Sequence, residues 1–252
     1  MIECIAVINQ KGGVGKSTSV LSIGKALMLK GFKVLLIDLD AQGNLSYTVK
    51  ANTTSEYNSF EILKGNIDAS TAIQKAMDFD IIASSPSLAA ADALIIETGK
   101  EYRLKEALEN IKSNYDYILI DTPPSLGILT VNALAVCTGV IIPSQADIYS
   151  LQGIGHFLNT VTTVKKYCNP KLKIMGIVLT RFNPRTIISR DIEKMVENTA
   201  ERIQTKLYKT KIRECTAIKE SQISQSDIFT YAPESNAAAD YKKLTEEIIL
   251  KR

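Results

Sequence analysis

Residues 10–18 read Gln-Lys-Gly-Gly-Val-Gly-Lys-Ser-Thr, and two apolar runs further along end in acids: Asp38 and Asp40 after residues 34–37, and Asp121 after residues 117–120. Gly12, Gly13 and Gly15 allow backbone N–H groups to turn inward around a phosphate, and a helix opening directly after them aims its positive dipole end at the same place. Lys16 supplies a point charge for the outer phosphates of a nucleotide, and the Ser17 hydroxyl is the group that such loops use to ligate Mg²⁺. The contacts expected from this loop are Lys11, Gly12, Gly13, Val14, Gly15, Lys16, Ser17 and Thr18. Asp121 reads as the acid that holds Mg²⁺ beside Ser17. Pro123 and Pro124 follow it, fixing the turn and removing two N–H donors.

These groups must be carried by elements whose ends converge. Residues 4–8 read as a buried strand feeding the loop, and Ser17 opens a segment with helical spacing through Val20, Leu21, Ile23, Leu27 and Met28. Residues 33–40 and 115–121 read as two further buried strands, and carboxylates at such ends face the ligand crevice of a parallel sheet. Strands are also expected at 79–83, 139–143 and 174–180. Helices are expected at 59–63, 87–96, 103–111, 127–136, 151–167, 186–207 and 237–251. In the last two, Ile192, Met195, Val196, Thr199, Ile203 and Leu207, then Tyr241, Leu244, Ile248 and Ile249, mark the inward faces. Residues 45–78 look like a polar surface excursion. The alternation predicts an α/β phosphate-loop NTPase fold: a mostly parallel twisted sheet with helices on both faces.

The 252 residues suit one domain with a sizeable core, and 45% apolar residues without a long polar tract fit a compact enzyme. No uninterrupted apolar run is long enough to span a membrane, and no charged-then-apolar leader precedes the first strand, so a cytoplasmic protein is expected. Cys4, Cys137, Cys168 and Cys215 are isolated in sequence and read as buried thiols, with neither a disulfide framework nor a zinc site indicated. His156, the single histidine, has no nucleophile or acid constellation around it and reads as a packing or surface residue.

With Lys11 ahead of the glycine pair and Gln10 where the common loop pattern has its first glycine, the loop resembles the deviant Walker form of the ParA/MinD group of ATPases. Asp38-Leu39-Asp40-Ala41-Gln42-Gly43-Asn44 is similar to that group's second signature, with Ala41 where proline is usual. Tyr231 to Ala237 is similar to its turn into the final helix, so the resemblance covers nearly the whole chain. It implies ATP and Mg²⁺ as cofactors and an ATP-dependent sandwich homodimer in which Lys11 reaches the partner's nucleotide. It also implies Lys16 on the phosphates, Asp40 orienting the attacking water, and Asp38 supporting the metal and its waters. Thr180 and Asn183 fall where the family places its base-binding edge.

From residue 165 onward there are 18 Lys/Arg against 11 Asp/Glu, a local excess of +7 in a chain of net charge +3. Such asymmetry suggests an anionic partner, nucleic acid or membrane. Arg185 resembles an arginine that the family uses on DNA, and Lys209, Lys211, Arg213 and Lys219 cluster with it in sequence. A second family arginine is replaced by Ala217. The resemblance therefore implies a ParA-type, Soj-like ATPase that binds DNA without sequence preference, associates with the nucleoid and segregates plasmid or chromosomal DNA with a ParB-type partner. The helix-turn-helix domain of larger relatives is not expected. A MinD-like positioning ATPase acting on a membrane is the alternative; it requires an amphipathic helix with exposed bulky apolar residues beyond the last packed helix, which is not expected here.

Overall fold

In the computed structural model the described residues are 2–250, without the side chains of 148–154 and 156; the expectation for His156 therefore lies outside them. In chain order the elements are β1 (Glu3–Val7), α1 (Lys16–Met28), β2 (Val34–Asp38), α2 (Asn44–Thr48), α3 (Ser59–Lys64), β3 (Ile73–Ala76), β4 (Phe79–Ile82), α4 (Ala91–Leu94), α5 (Arg103–Leu108) and β5 (Tyr117–Asp121). There follow α6 (Ile128–Val136), β6 (Gly139–Gln145), α7 (Ile148–Tyr167), β7 (Lys173–Thr180), α8 (Ile187–Arg202), α9 (Thr216–Ile223), α10 (Ile228–Tyr231) and α11 (Asn236–Ile249). The seven strands form one sheet in the order β3-β4-β2-β5-β1-β6-β7. Every pairing is parallel except β3 with β4.

Two apolar layers result from the period of two in the buried strands. In β1, Cys4 and Ala6 join the layer that packs under α6, α7 and α8, whereas Ile5 and Val7 join Val20, Ile23 and Leu27 of α1 and Tyr241, Leu244 and Ile248 of α11. In β2 and β5 the same alternation sends Leu35, Ile37, Ile118 and Ile120 one way and Leu36 and Leu119 the other. Helices therefore cover both faces, as the strand–helix alternation predicts. Gly24 permits the closest approach of α1 to the sheet, since a Cβ there would stand 3.0 Å from Leu36 Cδ2.

Several expectations need correction. Residues 45–78 are not only a surface excursion: they hold α2 and an antiparallel edge strand, β3, joined to β4 by a two-residue turn. Residues 87–96 form a 3₁₀ turn at Pro86–Ala90 running into the short α4. Helix α8 ends at Arg202, five residues before Leu207. The chain turns out at Gln204 (φ 55°), and Leu207 instead bridges Ile177 of β7. The buried stripe of α8 is Ser189, Ile192, Val196 and Ala200, while Met195 is 50% exposed. Cys4 and Cys137 are buried, but Cys168 and Cys215 only half so, and all four are free thiols. Burial pushes the Cys137 thiol up to about 12. Among the described residues, no helix is long and apolar enough to cross a membrane.

Candidate nucleotide-binding site

Register puts the chemistry at one level of the sheet. Asp121 pairs with Val7 on one side and Asp38 on the other, so the last residues of β1, β2 and β5 lie abreast. The loop from residue 8 to 15 leaves at that level and enters α1. Gly13 (φ 75°) and Gly15 (φ 90°) take left-handed backbone, which a residue with a Cβ adopts at a cost.

Neighbouring strand ends hold the loop's outward groups. Asn9 donates to Pro143 O at 2.6 Å and accepts from Lys11 N–H at 2.9 Å. Gln145 donates to Gly13 O at 2.9 Å, and the Thr180 hydroxyl to Val14 O at 2.8 Å. Carbonyls engaged outward leave N–H groups free to face a ligand. Lys16 is 7% exposed, with its ammonium 3.4 Å from Lys11 O. Burial lowers its pKa, opposed by the charges of Asp121 and Asp40.

Asp121 is fully buried, and among the described residues neither carboxylate oxygen has a well-aligned hydrogen bond, although the Ser17 hydroxyl lies close enough to act on it. Burial and then the charge of Asp38 raise its pKa well above the usual carboxylate range, with Ser17 and Lys16 acting the other way. A desolvated carboxylate without a well-aligned donor fits a cation: the charge that is costly alone is offset by a metal ion. Ser17 and Asp121 thus remain together as candidate Mg²⁺ residues.

Asp38, abreast of Asp121, is also bound on its other side. Its carboxylate accepts from Ser46 N–H at 2.9 Å, the Ser46 hydroxyl at 2.7 Å and Asp40 N–H at 3.1 Å. Burial raises its pKa to about 6 against these hydrogen bonds. It ties β2 to α2, so it acts on the site through the backbone of residues 40–46. Asp40 is 8% exposed, accepts from Gln42 N–H at 3.0 Å and lines a cleft of about 640 Å³ together with Gly12, Gly13, Lys16 and Ser17.

Lys11 forms an ion pair with Asp147, at the start of α7, with 2.5 Å between Nζ and Oδ2. The sequence contains no signal for this partner, 136 residues away. At the base-binding edge, Thr180 is 3% exposed and committed to Val14, and Asn183 caps Arg185 N–H at 3.1 Å outside the cleft that Thr180 lines. Asn183 lines the neighbouring cleft together with Arg185.

Of the five candidate DNA-binding residues, two are engaged inside the chain. Arg213 holds Asp240 through Nε at 2.9 Å and Nη2 at 2.7 Å, and Lys211 pairs with Glu193. Arg185, Lys209 and Lys219 are exposed and have no ion pair among the described residues. Arg185 and Lys219 line one cleft of about 560 Å³, while Lys209 lies apart, its backbone N–H on Glu247.

The "AAA domain" family model matches residues 2–174 of this chain. The sporulation initiation inhibitor protein Soj of Bacillus subtilis is 38% identical over 252 residues, covering 98% of both chains. The chain belongs to the ParA/Soj family. Two solved structures extend the similarity to the fold. One is a putative plasmid partition protein of Borrelia burgdorferi B31 bound to AMPPNP, with TM-score 0.85, 28% identity and full coverage of both chains. The other is cobyrinic acid a,c-diamide synthase of Mycobacterium smegmatis with an ATP analogue and magnesium, with TM-score 0.85, 32% identity and coverage of 98% of this chain and 93% of that one. The ParA/Soj chain is thus a ParA-like phosphate-loop NTPase with the mostly parallel α/β sheet that its sequence predicts, plus the edge strand β3.

Proposed function

We propose that this chain is a Mg²⁺-dependent ATPase that dimerises on ATP, binds DNA without sequence preference and serves plasmid or chromosome segregation with a ParB-type partner, in the cytoplasm at the nucleoid. The observation that carries the proposal is the buttressed phosphate loop beside the fully buried Asp121 carboxylate, in a chain of the ParA/Soj family. Backbone N–H groups of residues 12–17 and the Lys16 ammonium bind the phosphates. Ser17 and Asp121 would hold Mg²⁺, which supplies charge neutralisation at the phosphate oxygens when bound. Asp40, at the cleft wall, orients a water for attack, a transition-state role that leaves the phosphate cradle intact. Arg185, Lys209 and Lys219 supply the phosphate contacts to DNA, whose number, and with it the salt dependence of binding, doubles when two subunits pool them.

The test compares ATP hydrolysis, nucleotide affinity and oligomeric state for wild type, Lys16→Ala and Asp40→Ala. Lys16→Ala loses nucleotide binding; Asp40→Ala keeps it, hydrolyses slowly and accumulates as dimer. Normal turnover by Asp40→Ala removes that role, and unchanged affinity in Lys16→Ala removes the assignment of the loop.

A further inference from the structure

Helix α9 forms one wall of the nucleotide cleft and is weakly held there. Of its eight residues only Ser221 is buried, Ile223 is 80% exposed, and Cys215 at its N-cap makes no side-chain capping bond. Elements with so little buried surface open at low free-energy cost. Both flanks are fixed. Ahead of α9, Arg213 grips Asp240; behind it, Gln225 donates to Tyr47 O at 2.9 Å, and the buried Asp227 caps α10 through the N–H groups of Phe229 and Thr230. Between these anchors, Gln222 Nε2 donates to Thr18 Oγ1, in the first turn of α1, at 2.9 Å.

The hollow behind that hydrogen bond lies between α9 and the end of β7, against Gly15, Thr18, Thr180, Ile212, Ile218 and Gln222. Its aliphatic walls with a polar rim suit a purine, and it adjoins the larger cleft along Gly15, Thr18, Ile218 and Gln222, but its own volume is only about 70 Å³. That is room for roughly two waters at ~30 Å³ each, whereas small-molecule sites begin near ~300 Å³.

We propose that Gln222 is a positioning residue of the nucleotide site: it latches α9 onto Thr18, and the purine of the nucleotide enters between α9 and β7 when this hydrogen bond is released. The inference rests on the ATP-site reading above. Lys219, on the same helix, also lines the cleft of Arg185, so the movement that admits the base shifts that lysine relative to Arg185. Nucleotide occupancy and the basic surface are thereby linked through one short element.

The test is the association rate and affinity of fluorescent N-methylanthraniloyl-ATP for wild type, Gln222→Ala, Thr18→Val and the double variant. Releasing one neutral hydrogen bond corresponds to a factor of about five. Gln222→Ala should bind about fivefold faster and tighter than wild type, and should change nothing further in the Thr18→Val background. No gain in Gln222→Ala, a loss of affinity, or an equal gain in the Thr18→Val background overturns the proposal. A wild-type chain that binds no ATP at all would instead remove the ATP-site reading itself.

Discussion

The ammonium of Lys11 stands 2.5 Å from the carboxylate of Asp147, tying the phosphate loop to the residue just ahead of α7 within one subunit. A lysine that is to reach a partner's nucleotide must first leave this ion pair. The two side chains are 33% and 30% exposed, so the pair is worth about 0.2–1 kcal/mol. Asp147→Ala should therefore tighten ATP-dependent dimerisation by up to about fivefold, measured by light scattering across protein concentration. Loss of dimerisation in Asp147→Ala would instead assign Asp147 to the dimer itself.

Burial of the Asp121 carboxylate is costly, and the charge of Lys16 offsets that cost only in part. Replacing it with Asn removes the charge while keeping a buried polar group, and should raise the melting temperature of the nucleotide-free chain by no more than a few degrees. The same variant should lose the metal dependence of nucleotide affinity. A lower melting temperature together with an unchanged response to Mg²⁺ would show that Asp121 is a structural acid.

Arg213 and Arg185 look equivalent as basic residues but differ in what they touch. Arg213→Ala leaves Asp240, which is 5% exposed, with only the backbone N–H of residue 213 at 3.0 Å, and should destabilise the chain by about 1 kcal/mol, allowing for the half-exposed guanidinium. Arg185→Ala should leave thermal stability within ~0.5 kcal/mol of wild type. Equal melting temperatures for the two variants would remove the structural role given to Arg213.

The parts of this protein that were legible in its sequence are those where chemistry and burial coincide. Residues 4–18, 34–38 and 117–121 announce themselves because central parallel strands are apolar throughout and end in the loop or acids that face the crevice. Helices α2, α9 and α10 were not legible, being four to eight residues long and too short for a period to emerge. The end of α8 was misread because Ile203 and Leu207 continue its spacing by chance of a different contact, the bridge from Leu207 to β7. Asp38 shows the limit of a motif: its place is as expected, yet Ser46, eight residues on, takes its carboxylate. Glu193 and Asp240 neutralise Lys211 and Arg213 across 18 and 27 residues, pairings that charge counting cannot see.

The central claim, that ATP assembles a DNA-binding surface around Arg185, is tested most directly by titrating salt against duplex DNA binding for wild type and Arg185→Glu, each with ATP. Two subunits that neutralise phosphates together give a steep fall of affinity with salt, and each lost contact reduces the slope by about one unit per subunit. Wild type with ATP should bind tightly and without sequence preference, and Arg185→Glu, which still dimerises, should bind weakly with a shallower slope. Equal affinities and slopes for the two proteins, or no ATP-dependent binding by wild type, would contradict it.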